Sequence, residues 1–292
     1  MILVTGANGK LGSTVIDFLL KKNPGESFAG MVRSEEKAKT LRAKGVEVRI
    51  ADYNRYSSLT KAFEGVDKLY FVSSSDVANR GNQHANVVRA ASEAGIKHIY
   101  YTSIQRKRED RYSAVTFITR CHLDTEKLIV DSGIPYTILK HALYMEILPM
   151  FIGQTVVENG SIYLPAGKGS VSYALRSDMA EVSAHLLTSV GHENKVYEIA
   201  ANRSYSFYDI ADSLTRLSGK KISYLTTDAE QYRKELYKAR IPADMINTII
   251  GFSTGIKEGE FDCPSDCLTN FLGREAVTPD QYLKQLYLSG NK

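Results

Sequence analysis

The chain has 292 residues, of which 43% are apolar and 24% charged, and a formal net charge of +4. These are the proportions of an ordinary soluble globule, with enough chain for one large α/β domain or two modest ones. The mild positive balance suits an anionic small molecule and does not by itself argue for nucleic acid.

Strands and helices alternate from the start. Strands are predicted at Met1–Thr5, Ser27–Arg33, Val46–Ala51, Lys68–Ser73, Ile96–Ser103 and Pro135–Lys140. Helices are predicted at Lys10–Lys22, Glu35–Lys44, Ser57–Phe63, Gly81–Ala94 and Val115–Ser132. Lys68–Ser73 and Ile96–Ser103 are near-continuous apolar runs, as a sheet covered on both faces requires. Gly45, Gly95 and Gly133 punctuate helix ends before strands. Right-handed crossovers then give a Rossmann-type doubly wound parallel sheet, with a ligand crevice at the carboxyl ends of its strands.

After Lys140 the rhythm changes. Leu143–Val157 reads as helix, Ser161–Leu164 as a short hairpin-like piece, and Arg176–Ser189 as helix. Val196–Ala200 and Ser223–Thr226 read as strands, and Ser206–Ser218 as a helix capped by Ser206 with Asp209 in its first turn. Ala229–Leu288 is helix and loop rich in tyrosine. The expectation is a single nucleotide-binding unit over 1–292. Its main binding part is 1–140, and 141–292 is mostly a smaller C-terminal α/β lobe contributing late sheet strands and closing over the strand ends.

The strand Ile2–Thr5 runs into Gly6-Ala7-Asn8-Gly9-Lys10-Leu11-Gly12, and an amphipathic helix follows with Leu11, Val15, Ile16, Leu19 and Leu20 on one period. A tight turn needs a residue without Cβ at Gly6. Approach of a pyrophosphate needs one at Gly9, and helix-to-strand packing needs one at Gly12. The helix N-terminus offers free N–H groups and the positive end of its dipole to phosphate. A glycine turn without a ligand is the bland alternative, and the strand-turn-helix context argues against it.

Strand two ends at Arg33, where a pattern selecting NAD would place an acid on the ribose hydroxyls. An arginine suits a 2′-phosphate, so NADP(H) is the expected cofactor. Lys37 lies one helical turn on and can add charge; the alternative is a solvated Arg33 at a strand end. Asp52 either reaches the adenine edge or simply makes a turn. Ser73, Ser74 and Ser75 leave room for ribose and phosphates, or are ordinary loop residues.

The chemistry is less explicit. A Tyr-x-x-x-Lys pair on the helix after strand five would let the lysine lower the tyrosine pKa and the tyrosine protonate a carbonyl. Tyr136-Thr-Ile-Leu-Lys140 has that spacing but lies in a β-patterned run, where residues four apart are separated by about 13 Å. The preceding helix instead carries His122 and Glu126 at i, i+4. One reading puts His122 near the nicotinamide ribose with Glu126 setting its tautomer; the other is a structural His–Glu contact. His84 and His98 read as surface or packing residues.

Cys121, Cys263 and Cys267 fit a reducing compartment. Cys263-Pro-Ser-Asp-Cys267 lacks a second ligand pair and reads as a surface loop, and no metal site is expected. No run of about 18 apolar residues and no charged, apolar, small-residue leader is present, so no membrane span and a cytoplasmic location are expected.

Several stretches carry a family resemblance. They are Thr-Gly-Ala-Asn-Gly-Lys-Leu-Gly at 5–12, Val-Arg-Ser-Glu-Glu-Lys-Ala at 32–38 and Val-Glu-Val-Arg-Ile-Ala-Asp-Tyr at 46–53. Others are Ser-Ser-Ser-Asp-Val at 73–77, Gln-His-Ala-Asn-Val-Val at 83–88, His-Leu-Asp-Thr-Glu-Lys at 122–127 and Gly-His-Glu-Asn-Lys-Val-Tyr-Glu at 191–198. On these the chain resembles the NmrA-like atypical short-chain dehydrogenase/reductases, in particular type-2 NAD(P)H:quinone oxidoreductases and triphenylmethane dye reductases.

The resemblance implies NADPH held by Gly6–Leu11, Arg33 and Ser73–Ser75, and by the segment after strand six. That segment is His141-Ala142-Leu143-Tyr144-Met145-Glu146 here. Family members often read Leu-Arg-Asn before this tyrosine-bearing segment, whereas this chain reads Leu139-Lys140-His141. The loop 105–112 looks longer and more basic than usual. It is read as a lid, an attractor of an anionic substrate, or a solvated charged loop.

Two function classes follow. The first is hydride transfer from NADPH to a quinone or similar conjugated acceptor, or to a triphenylmethane dye or azo compound, in which the protein mainly positions a flat acceptor. Tyr144 is the candidate on the acceptor side. The second is a non-catalytic NADP(H) sensor of the NmrA type. A small-molecule partner and a monomer or homodimer are expected, with no nucleic acid and no membrane.

Overall fold

The computed structural model describes residues 1–22, 25–109 and 113–288. The first half alternates as expected: β1 (Ile2–Val4), α1 (Lys10–Lys22), β2 (Phe28–Val32), α2 (Glu35–Ala43), β3 (Glu47–Ile50), α3 (Tyr56–Ala62), β4 (Lys68–Phe71), α4 (Arg80–Glu93), β5 (His98–Ile104), α5 (Thr116–Asp131) and β6 (Tyr136–His141). A 3₁₀ turn (Met145–Ile147) leads into α6 (Leu148–Ile152), α7 (Val156–Asn159), β7 (Ser161–Leu164), β8 (Ser170–Val171), α8 (Arg176–Thr188) and β9 (Lys195–Ile199). The chain ends with β10 (Tyr205–Ser206), α9 (Phe207–Ser218), β11 (Ser223–Thr226), α10 (Ala229–Lys238), α11 (Ala243–Lys257), α12 (Cys267–Leu272) and α13 (Pro279–Leu288).

Two compact units emerge. The first comprises Met1–Ile104, Ile118–His141 and Arg176–Glu198, and the second Gln105–Phe117, Ala142–Leu175 and Ile199–Lys292. The strand order of the main sheet is β3-β2-β1-β4-β5-β6-β9. β1 pairs in parallel with β2 and β4, β2 with β3, β4 with β5 and β5 with β6. The order reverses between β1 and β4, the switch point at which an α/β sheet of this kind opens a ligand crevice.

Side-chain alternation covers both faces. Leu69 and Phe71 of β4 and Ile99 and Tyr101 of β5 share a core with Leu59 of α3, Val87 of α4 and Ile129 of α5. Tyr70, between Leu69 and Phe71, points the other way and donates to Ser183 Oγ on α8 at 2.9 Å. Each such apolar side chain taken out of water contributes roughly 1.5–3 kcal/mol before the entropy of ordering it is counted.

The second unit departs from expectation at two points. Leu143–Val157 is not one helix: Gly153, at φ +79°, ends α6, and α7 restarts at Val156. Ser161–Leu164 is not half of a hairpin. It pairs in parallel with β11, Ser161 opposite Ser223 and Leu164 opposite Thr226. A parallel partner needs a long crossover, so no local turn signal could announce it. The cap of α9 is as expected. Ser206 Oγ accepts from Asp209 N–H at 3.2 Å while Asp209 Oδ2 accepts from Ser206 N–H at 2.8 Å.

Candidate cofactor site

The glycine turn joins β1 to α1. Gly6 sits at φ +58°, and a Cβ there would lie 3.3 Å from Val72 Cβ. A Cβ on Gly12 would lie 2.5 Å from the Gly6 carbonyl oxygen, and one on Gly9 3.1 Å from that same atom. The turn therefore folds onto itself, closed by the Gly9 N–H donating to Gly6 O at 2.8 Å. Ala7 N–H donates to Met31 O at 3.1 Å, which ties the turn to β2. Ala7 and Leu11 bury their side chains, whereas Asn8, Gly9 and Lys10 are exposed. The first N–H groups of α1 have no carbonyl one turn back to bond, and no acid stands in that first turn. This is the electrostatic end at which an anion is stabilised.

Arg33 follows β2 and is exposed. The acid two residues on, Glu35, is engaged by Arg42 at 2.5 Å, so the helix's own ion pair leaves Arg33 outside it. Ser34 caps α2 by backbone geometry, with no side-chain cap bond. Asp52, after β3, makes an Asx turn: its Oδ1 accepts from Asn54 N–H at 2.8 Å. Tyr53 Oη lies 2.6 Å from Thr5 Oγ1 and 2.9 Å from the Val72 carbonyl. Val72 N–H in turn donates to Thr5 Oγ1 at 2.9 Å. The carboxyl ends of β1, β3 and β4 are thereby laced together.

The serine loop after β4 is held from inside. Ser73 N–H donates to Thr102 Oγ1 at 2.9 Å and Ser74 N–H to His84 Nε2 at 3.0 Å. His84 is fully buried, and its Nδ1 lies 2.8 Å from Thr125 Oγ1. Burial, helped by the nearby Arg80 cation, holds the His84 pKa down at about 3. His98 is a buried packing residue, stacked on Tyr100 and 2.8 Å from Thr137 Oγ1.

His122 lies buried on α5. Its Nδ1 is 2.8 Å from Tyr101 Oη and its Nε2 3.4 Å from Arg80 Nη1. A guanidinium can only donate, so Nε2 accepts and Nδ1 carries the proton towards Tyr101. Glu126 meanwhile accepts from Ser103 Oγ. Arg80 and Tyr101 thus stand at the two nitrogens of a ring that is buried at 4% exposure. Tyr136 and Lys140 lie along β6 as the β-pattern requires, and Lys140 Nζ approaches Glu198 Oε1 at 3.5 Å.

His141 closes β6 within the first unit, buried, with its pKa pushed down to about 3 by desolvation. In the second unit, Ala142 N–H donates to Ile199 O at 3.0 Å. Ala174 then threads between neighbours, donating to Leu143 O at 3.3 Å and accepting from Met145 N–H at 2.9 Å. Tyr144, bridged to Ala174, is extended and partly exposed, while Ala142 and Leu143 are buried.

The basic loop is fastened rather than free over its described part, 105–109. Gln105 Nε2 donates to Cys263 O at 2.7 Å, and Lys107 N–H to Glu260 O at 2.8 Å. Arg108 N–H donates to Glu260 Oε1 at 3.2 Å, and buried Arg106 pairs with Glu109 at 2.7 Å. Residues 110–112 lie outside the described residues. Cys121, Cys263 and Cys267 form no disulfide with one another, and no group of three or more metal-ligating side chains occurs among the described residues. No helix among them is long and apolar enough to cross a membrane.

Sequence reasoning missed the supporting residues Arg80, Tyr101 and Thr102, and it placed His84 among packing residues without its hydrogen-bond partners. For Tyr101 and Thr102 the only local trace is a polar group in the otherwise apolar run of β5.

A Rossmann-type sheet with a glycine turn at its switch point defines a nucleotide-binding α/β protein. The chain belongs to the NmrA-like family, whose match spans residues 1–266. It is 34% identical over 291 residues to quinone oxidoreductase 2 of Escherichia coli K12, covering 100% of both chains. It is 30% identical over 253 residues to the NAD(P)H azoreductase of Xenophilus azovorans, covering 85% of this chain and 86% of that one. The crystal structure of Citrobacter sp. triphenylmethane reductase complexed with NADP(H) superposes with a TM-score of 0.91 at 38% identity, over 98% of this chain and 100% of the other.

Proposed function

We propose that this chain is an NADPH-dependent oxidoreductase that passes hydride to a quinone or a similar conjugated acceptor, triphenylmethane dyes and azo compounds included. The observation that carries the reading is the end-to-end likeness to quinone oxidoreductase 2 and to an NADP(H)-complexed dye reductase, joined to a turn in which a Cβ at Gly12 would collide with backbone and one at Gly6 or Gly9 would be crowded. The residues present fit the cofactor. The Gly6–Leu11 backbone and the first turn of α1 suit a pyrophosphate, and Arg33 suits a 2′-phosphate by charge and paired donors. Ser73–Ser75 and His141–Leu143 complete the proposed contacts, with Asp52 at the adenine end.

When bound, the nicotinamide supplies the hydride, which is chemistry the protein does not need to provide. The chain's part is to hold a flat acceptor in register and keep it oriented. This fits a chain whose single Tyr-x-x-x-Lys spacing lies extended along β6, unable to act as a pair. Tyr144 is the proposed side chain on the acceptor side, its hydroxyl the group that would pass a proton to the reduced product and regain one from solvent. His122 is proposed as a buried support beneath the site, not a group that touches substrate.

The test is to mix purified protein with NADPH and a panel of quinones, triphenylmethane dyes and azo compounds and follow loss of the reduced-nicotinamide absorbance. Turnover of at least one acceptor class, faster with NADPH than with NADH, is expected. Tight NADPH binding with no turnover of any acceptor overturns the enzyme reading and leaves a sensor of NADP(H).

A further inference from the structure

We propose that His84 is a positioning residue of the cofactor site: it fixes the direction of the Ser73–Ser74 peptide, so that the loop after β4 offers a carbonyl acceptor to a ribose hydroxyl rather than N–H donors to a phosphate. The naming of the ligand rests on the function proposed above; the peptide geometry does not.

Two independent bonds set the ring. Ser74 N–H donates to Nε2 at 3.0 Å, so Nε2 carries no proton. On the other side Thr125 Oγ1 stands 2.8 Å from Nδ1, and its hydroxyl hydrogen is already directed to Cys121 O at 2.7 Å. The bond between ring and hydroxyl must then run from Nδ1–H to Thr125. Phe71 and Tyr101 hold the ring edge-on, with centroids 4.8 Å and 5.8 Å away. Charging this ring would place an Nε2–H against the Ser74 N–H, and burial already opposes the charge.

The consequence lies in the peptide plane. In a planar trans peptide the N–H and the preceding C=O point in opposite directions. With Ser74 N–H drawn in to His84, the Ser73 carbonyl is turned away from the ring. Ser73 N–H is drawn in as well, to Thr102 Oγ1. Ser74 Oγ is occupied from the loop itself, accepting from Asp76 N–H at 3.1 Å. Two successive amides facing inward cannot form the paired-donor nest that binds phosphate. That duty is left to the glycine turn, and the serine loop reads hydroxyl groups.

Glutamine and asparagine separate the two ends of the ring, because a glutamine head group falls near imidazole Nε2 and an asparagine head group near Nδ1. His84→Asn keeps a partner for Thr125 and orphans Ser74 N–H. His84→Gln keeps an acceptor for Ser74. By fluorescence titration, H84N is expected to weaken NADPH binding about tenfold, with H84Q within about threefold of the parent. KM for NADPH should follow these values, while kcat at saturating NADPH moves about twofold or less. Equal losses in both variants, or no loss in H84N, overturn the inference. Should neither variant fold, nitrogen-15 spectra of the unaltered protein decide: a protonated Nδ1 and bare Nε2 at neutral pH are expected, and the opposite tautomer or a charged ring overturns it. Unaltered protein that binds NADPH but reduces no acceptor defeats the enzyme reading and leaves the His84 inference standing; H84N that binds like the parent defeats the inference whatever the turnover.

Discussion

Gly12 and Gly81 carry the same side chain in opposite circumstances. A methyl group on Gly12 would meet backbone, the Gly6 carbonyl oxygen at 2.5 Å, whereas one on Gly81 would meet nothing within 4 Å. Backbone cannot rotate away as a flexible side chain can, so Gly12→Ala must pry α1 from its turn. It is expected to cost about 1–3 kcal/mol in urea denaturation and to weaken NADPH binding with it. Gly81→Ala, in the first turn of α4, should instead stabilise by up to about 1 kcal/mol through reduced freedom of the unfolded chain. Arg33 answers a different question at the same scale. Its exposure and its place outside the Glu35–Arg42 pair leave its charge for a ligand. Arg33→Asp should raise KM for NADPH by about tenfold or more and leave KM for NADH nearly unchanged, a contrast read from initial rates with the two cofactors. Equal changes with both would remove the 2′-phosphate role.

Elements are held by ends as much as by faces. The capping box of α9 satisfies two amide donors that the helix itself cannot, and its first turn also buries Phe207 and Ile210. Ser206→Ala removes the bond to Asp209 N–H and should lower stability by about 1 kcal/mol, with the denaturant midpoint shifted at unchanged slope. The loop over 105–109 gains its order from partners far along the chain, Glu260 and Cys263. Two of its charges are paired: Arg106 with Glu109, and Arg108 with Glu258 at 3.4 Å, while Lys107 is exposed. In the first unit, β4 and β5 derive their stability from burial on both faces, while Thr102 of β5 accepts from the N–H of Ser73 and so holds the loop that follows β4.

For the whole molecule, buried neutral histidines set the response to acid. His84 and His141 have pKa values held down at about 3, and His98 at about 4, each mainly by desolvation. In the unfolded chain each titrates near 6.5. Above that value all three are neutral in both states and stability does not depend on them. Below it the unfolded chain binds protons that the folded chain refuses, so stability falls as pH drops, by up to about 1.4 kcal/mol per pH unit per histidine, until the folded values are reached. Asp67 acts lower, because Lys97 and the terminal amine hold its carboxyl down to about 2. Its contribution is present above the ordinary carboxylate range and is lost only as pH falls towards the folded value. Thermal melts should therefore be flat near neutrality and decline steadily from about pH 6 to about pH 4, in the histidine window. A melting temperature constant across that window would show that these rings are not held neutral.

Local pattern alone was enough for the α/β rhythm of the first half, the glycine turn and the cap at Ser206. Each depends on periodicity or on the conformational demands of a few consecutive residues, and those are written in neighbouring positions. The same information misled at Ser161–Leu164, whose partner β11 begins at Ser223 with β8, α8, β9, β10 and α9 in between. Nor does it announce that Ser103, at the end of β5, donates to Glu126 on α5. His84 looked like a packing residue because only the fold brings Ser74 and Thr125 to its two nitrogens. A residue's own chemistry says that a buried polar group needs a partner; which partner it meets is decided by where distant segments of the chain pack.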